Sequence, residues 1–188
     1  LLALGAEVTA LDGDGLSPLA LAIADGHAAI AADLRGRGVD DSARWISGES
    51  VVLGRDAATR LLGYAAARGR DVASLLAAGA EVDARSLQLV GETPTRITAL
   101  QRAAAGGHAE AVRRLLAAGA SCAASEAGAP TPLHVAAGAG HLEVVRALLE
   151  AGVDPCPRER QFGATPRGWA EFAGHVEVAA LFEAVASV

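Results

Sequence analysis

Three triplets pair an imidazole with a carboxylate two residues on: His108-Ala109-Glu110, His141-Leu142-Glu143 and His175-Val176-Glu177. Such pairs suit metal ligation, and His-x-Glu is part of a zinc deaminase signature. Their repetition points to a plainer role. Each opens the second helix of a repeating unit, so the His is expected to satisfy backbone groups at the helix start. The Glu then complements the positive end of the helix. Successive triplets sit one repeat apart, too far to share an ion. The chain has no His-Glu-x-x-His and no Cys-x-x-Cys. Cys122 and Cys156 fall at similar places in adjacent units. Stacked helices lie about 8–10 Å apart, whereas a disulfide needs Cα atoms within about 7 Å. Two free, semi-buried thiols are expected. Gly-Asp-Gly at 13–15 and Gly-Arg-Gly at 36–38 are turn signals, and a chain without Lys cannot build a phosphate loop of the Gly-Lys type. Ser17, Ser42, Ser47 and Ser50 lie in no nucleophile elbow. No catalytic residue, metal site or cofactor is expected.

The composition agrees. Hydrophobic residues make up 52% of the 188 residues but aromatics only 3%, a mixture of Ala, Leu and Val that suits thin, closely packed helices. All 16 basic residues are Arg, and the net charge of −6 excludes a generic nucleic-acid or membrane-surface binder. Gly, Asp or Arg interrupts every apolar run before the roughly 18 residues that a membrane helix needs. Two cysteines make no disulfide framework, so a reducing cytoplasm is the expected compartment.

These residues are positioned by a repeat. The string Ser17-Pro18-Leu19-Ala20…Gly26-His27 returns as Thr98-Ala99-Leu100…Gly107-His108, Thr131-Pro132-Leu133-His134…Gly140-His141 and Thr165-Pro166…Gly174-His175. A weaker copy spans Arg60 to Gly69. The marker glycines Gly26, Gly69, Gly107, Gly140 and Gly174 are separated by 43, 38, 33 and 34 residues, so the unit is 33 residues and two units carry insertions. In the clearest copy Thr131 is a good N-cap, and Pro132 follows at the first helical position, where a missing N–H costs nothing. Leu133, Ala136 and Ala137 give a short helix an apolar stripe. Val144, Val145, Leu148 and Leu149 do the same for the second helix, and Gly152 suits a left-handed C-cap. Neither helix alone can bury its face, but stacked neighbours can.

Thr131-Pro132-Leu133-His134-Val135-Ala136 and the 33-residue period resemble the ankyrin repeat, across nearly the whole length. The segment Phe162 to Ala170 is similar to the closing repeat of bacterial members. The resemblance implies an all-α, ankyrin-type solenoid of stacked helix-turn-helix repeats with hairpin-like finger loops. The expected division is a single domain over 1–188. It comprises the end of a truncated repeat (1–10), repeat 1 (11–43), an insertion (44–57) around Trp45 and a short divergent repeat 2 (58–84). A second insertion (85–92), repeat 3 (93–125), repeat 4 (126–159) and a closing repeat 5 (160–188) complete it. The stub at Leu1 to Ala6 reads as the end of a second helix, so the native chain is expected to extend N-terminally.

The family's binding surface, carried over, is a concave face of finger tips and first-helix ends. The tips are Asp12, Asp14, Arg55, Asp56, Thr95, Arg96, Glu126, Gln161 and Phe162. The helix ends are Asp25, Arg68, Ala139 and Phe172. The charge pattern marks the middle of this surface. Residues 1–57 carry nine acids and four arginines, 58–120 five and eight, and 121–188 eight and four. An Arg-rich middle band suits an acidic patch on a partner, because the guanidinium fork pairs with carboxylates. Phe162 and Phe172 are either exposed anchors or the closure of the last repeat against Trp169. The expected function is a non-catalytic protein–protein interaction module, an adaptor or scaffold, monomeric by itself, with no nucleic acid and no membrane insertion. The alternatives are a regulatory or targeting module of a larger enzyme and a structural subunit of a large assembly.

Overall fold

The computed structural model describes residues 18–24, 27–36, 55–90, 93–124, 128–160 and 162–186. Among them helices come in five consecutive pairs. These are α1 (Pro18–Ala24) with α2 (Ala28–Gly36), α3 (Arg55–Ala67) with α4 (Val72–Ala77), α5 (Ala99–Ala105) with α6 (Ala109–Ala117), α7 (Pro132–Gly138) with α8 (Leu142–Glu150), and α9 (Pro166–Phe172) with α10 (Val176–Ala186). First helices pack on first helices in the order α1, α3, α5, α7, α9, and second helices on second helices in the order α4, α6, α8, α10. The result is a one-dimensional stack in which the main contacts of each described pair are with its neighbours.

Local chemistry explains the element ends. Thr98, Thr131 and Thr165 each cap a first helix, the side-chain oxygen accepting the N–H of Gln101, His134 and Gly168 respectively. These three first helices, and α3, then stop on a glycine in the left-handed region, such as Gly140 at φ 76°, and the next N–H folds back, as that of His141 does to the Ala136 carbonyl at 3.0 Å. Repeat 2 lacks the Thr-Pro start. Its first helix runs 13 residues from Arg55, against seven in α5, α7 and α9, because nothing in Ala57-Ala58-Thr59-Arg60 stops it. Arg55 and Asp56, expected at a finger tip, therefore begin α3. The second helix of this repeat, α4, has six residues against nine in α6 and α8, because only ten residues separate Gly69 from Gly79, against twelve from Gly107 to Gly119 and from Gly140 to Gly152. Asp71 caps it, accepting from Ala73 N–H at 3.0 Å and Ser74 Oγ at 2.6 Å; the hydroxyl bond holds its carboxyl below the usual value.

One apolar seam runs through the stack. Leu62, Leu100, Leu133, Val112, Leu115, Val144 and Leu148 are all fully buried in a single cluster. The extra residues between repeats 2 and 3 form an antiparallel hairpin, β1 (Arg85–Val90) with β2 (Thr93–Thr98), paired from Arg85↔Thr98 to Val90↔Thr93. The segment expected as a separate insertion is thus one arm of a lengthened finger.

Repeat 5 differs from the inner repeats in charge. Arg167, Glu171 and Glu183 occupy the positions of Leu133, Ala137 and Leu149 in repeat 4. Leu133 and Ala137 are fully buried. In repeat 5 the equivalents are half-exposed or exposed and paired, Arg167 to Glu171 at 2.6 Å and to Glu183 at 2.7 Å. The surface that an inner repeat turns to its successor is polar in repeat 5.

Candidate functional site

The histidines hold repeats together. His108 Nε2–H donates to the Ala67 carbonyl at 3.0 Å, and His141 Nε2–H donates to the Ala105 carbonyl at 3.0 Å. A carbonyl can only accept, which fixes the ring proton on Nε2. Each ring reaches back to the end of the preceding repeat's first helix. Neither imidazole caps the helix it opens, which corrects that sequence expectation. The rings also explain the marker glycines. A Cβ on Gly69, Gly107 or Gly140 would lie 2.6–2.8 Å from the ring of His108, His141 or His175. Among the described residues no group of three or more His, Cys, Asp or Glu could hold a metal ion. Cys122 is half-buried, with its thiol pushed up by burial and by Asp83, whereas Cys156 is exposed rather than semi-buried as expected.

His134 and Glu159 build the last finger. His134 Nδ1 accepts the Thr131 N–H at 3.2 Å, and its Nε2–H donates to the Ala164 carbonyl at 3.1 Å. Burial pushes this imidazole below its usual value, opposed by the bond to Ala164 and by Glu159. In repeat 3 Gln101 makes the same pair of bonds, from Thr98 N–H at 3.0 Å and to the Pro130 carbonyl at 3.1 Å. Glu159 is buried, and its Oε1 accepts from Phe162 N–H at 2.8 Å and Ala164 N–H at 3.1 Å. Sequence reasoning missed Glu159, because an acid in a polar loop carries no signal of burial. It also missed Gln101, whose place in the His134 column was the available clue.

The first helices and fingers form the candidate face. Tyr64, Arg102, Val135 and Trp169 stand at one level of successive first helices. Four residues on, the level is Arg68, Gly106, Ala139 and Ala173, all exposed. Arg68 lies with its guanidinium 3.8 Å from the centroid of the Tyr64 ring. Arg102, an arginine in a column otherwise held by Tyr64, Val135 and Trp169, is buried at 8% exposure. Trp169 leans edge-on against His134, ring centroids 5.6 Å apart, and covers Gly138, where a Cβ would lie 2.9 Å from it.

Of the expected contact residues, Arg68, Arg96, Ala139, Phe162 and Phe172 are exposed. Two placements differ. Arg96 lies on the shaft of the hairpin rather than at its tip, since the ladder continues to Val90↔Thr93. Phe172 stands one residue before the level of Arg68 and Ala139, at the position of Gly138 and Ala105. Phe162 and Phe172 do not close the last repeat against Trp169: they are 74% and 96% exposed. Asp12, Asp14, Asp25, Glu126 and Gln161, the insertion around Trp45 and the N-terminal stub lie outside the described residues, and so does the side chain of Thr95.

No helix among the described residues is long and apolar enough to cross a membrane. In a comparison by sequence no curated protein matched the chain. The family model for ankyrin repeats, in three copies, matches residues 62–159, just over half of the chain. Ankyrin repeats are protein–protein interaction modules, and the family is typically non-catalytic. The motif, the period, the stacked helix pairs and this match agree, and the chain belongs to the ankyrin-repeat family.

Proposed function

We propose that this chain is a non-catalytic adaptor or scaffold that binds a partner protein on the concave face formed by finger loops and first helices. The observation that carries this reading is Arg68. Its exposed guanidinium is already stacked on the buried Tyr64 ring, so little side-chain freedom is left to lose when a carboxylate arrives. Arg96 adds a second exposed guanidinium on the neighbouring hairpin. The histidines, which would be the first candidates for chemistry, are engaged between repeats. The partner is a protein carrying an acidic patch. Nucleic acid and membrane are disfavoured by the net charge of −6. The chain by itself is taken to be monomeric, and a reducing, cytoplasmic setting fits two free thiols.

The test is a double charge reversal, Arg68→Glu with Arg96→Glu, against the partner captured from the native host. Affinity is expected to fall at least about tenfold at low ionic strength, and the salt dependence of binding to shrink. An unchanged affinity and an unchanged salt dependence, with the circular dichroism spectrum intact, would remove this face from the binding surface.

A further inference from the structure

We infer that the segment bound on this face is extended, acidic at one end and apolar at the other, and lies along the stack from repeat 2 to repeat 5. This rests on the reading of the face as the binding surface and specifies what it holds. The two ends differ in chemistry. At repeats 2 and 3 stand Arg68, held over Tyr64, and Arg96 on β2. At repeat 5 Phe172 is 96% exposed, and Phe162 is exposed on a finger whose backbone the buried Glu159 carboxylate fixes.

Among the described residues, the helix ends in the middle carry almost no side chain. Ala105, Gly106 and Ala139 are exposed and small, so the main chain of a ligand can approach the helix ends closely. A bound helix, about 10–12 Å across, would rest its apolar stripe on this middle, where the described helix ends offer it only Ala and Gly. An extended chain needs only its two ends anchored. The charge of the flanks sets its direction. Residues 1–57 and 121–188 each carry more acids than arginines, and only 58–120 carries more arginines. An acidic end is repelled from both flanks and drawn to the middle band. The apolar end then falls at repeat 5. First helices about 8–10 Å apart put Arg68 and Phe172 roughly 25–30 Å from each other across three steps. At about 3.3 Å per residue, some eight or nine extended residues span that distance.

The experiment uses the whole chain and fluorescein-labelled synthetic peptides read by fluorescence anisotropy. Each peptide carries an Asp/Glu run, a Gly/Ser spacer of about eight residues and a Leu-Phe pair, made in both chain directions. Controls replace either end by Ser or shorten the spacer by half. One direction of the long-spacer peptide is expected to bind at least about tenfold more tightly than every control, since the two ends then bind as one ligand. Arg68→Glu with Arg96→Glu should remove the salt-dependent part of that affinity, and Phe172→Ala the salt-independent part. Equal binding of long-spacer and control peptides overturns the inference. So does a Phe172→Ala variant whose only effect is to change self-association in sedimentation, because Phe172 would then serve a second copy of the chain. An Ala139→Arg variant separates the two readings, since it puts bulk in the middle of the face. If the peptides fail while Ala139→Arg weakens the native complex, the face stands and the extended segment falls. If Ala139→Arg leaves the native complex unchanged, the face itself falls.

Discussion

His134 does with an imidazole what Gln101 does one repeat earlier with an amide, and the difference is a titratable proton. Its Nδ1 must stay bare to accept the Thr131 N–H, and burial holds the ring below its ordinary value. The folded chain therefore takes up this proton less readily than the unfolded chain, where His titrates near about 6.5. The stability it contributes is whole above the unfolded value and is lost as pH falls from there through the folded value. His134→Gln, borrowing the solution of repeat 3, should flatten that acid limb while keeping both bonds. Urea midpoints measured on both proteins from neutral to mildly acidic pH check this, and parallel curves would show that another group sets the acid limb. Gly107 offers a second test at this scale. It sits at φ 74°, and a Cβ there would lie 2.8 Å from His141 Nδ1. In Gly107→Ala the left-handed backbone alone costs about 1–2 kcal/mol, and the ring contact adds to it. His141→Ala removes both the ring and its bond to the Ala105 carbonyl. The double variant should be less damaged than the sum of the singles by about 1 kcal/mol, within the usual range for touching residues. Strict additivity would mean that the backbone alone demands glycine.

At the scale of the helix, burial outweighs capping. Leu133 in α7 and Leu148 in α8 are fully buried at the centre of repeat 4. Either Leu→Ala should cost roughly 2–5 kcal/mol, whereas Thr131→Ala, which removes a cap, should cost about 1. Because each pair is stabilised by its neighbours, the Leu148→Ala damage should also speed hydrogen exchange in α6 and α10. A loss below about 1 kcal/mol, or an effect confined to α8, would show that the seam is not continuous. These core positions were legible in the sequence because apolar periodicity and turn glycines are local signals. The start of α3 was not. The reading anchored repeat 2 by its column position at Arg60, but the absence of Thr-Pro there also removes the stop that would have kept the helix short. The hairpin was half legible: the extra length was countable, yet the pairing of Arg85–Val90 with Thr93–Thr98 joins segments that the reading assigned to an insertion and to the next repeat. For the candidate face, Arg68 came from the column pattern, whereas Phe172 stands one residue off that column. The stacking on Tyr64 and the burial of Glu159 arise from contacts between elements and carry no local mark.

At the scale of the whole molecule, any face built to receive another unit will receive one unless it is altered. Repeat 5 is altered at three places. Its backward-facing positions keep Ala170, Val178 and Phe182 buried, as Ala136, Val144 and Leu148 are in repeat 4. Its outward positions exchange Leu133, Ala137 and Leu149 for Arg167, Glu171 and Glu183, which pair with one another across the end of α9 and α10. Exposed ion pairs of this kind add little to folding stability; their expected effect is to keep this face from pairing with another copy. The triple variant Arg167→Leu, Glu171→Ala and Glu183→Leu restores the side chains of an inner repeat. It should therefore leave the urea midpoint almost unchanged while making the chain associate end to end. Sedimentation velocity over a range of concentrations checks both halves of the claim against the parent chain. A weight-average mass that stays constant with concentration would show that the charges do not guard this face. A large fall in the midpoint without association would show instead that the ion pairs hold α9 to α10.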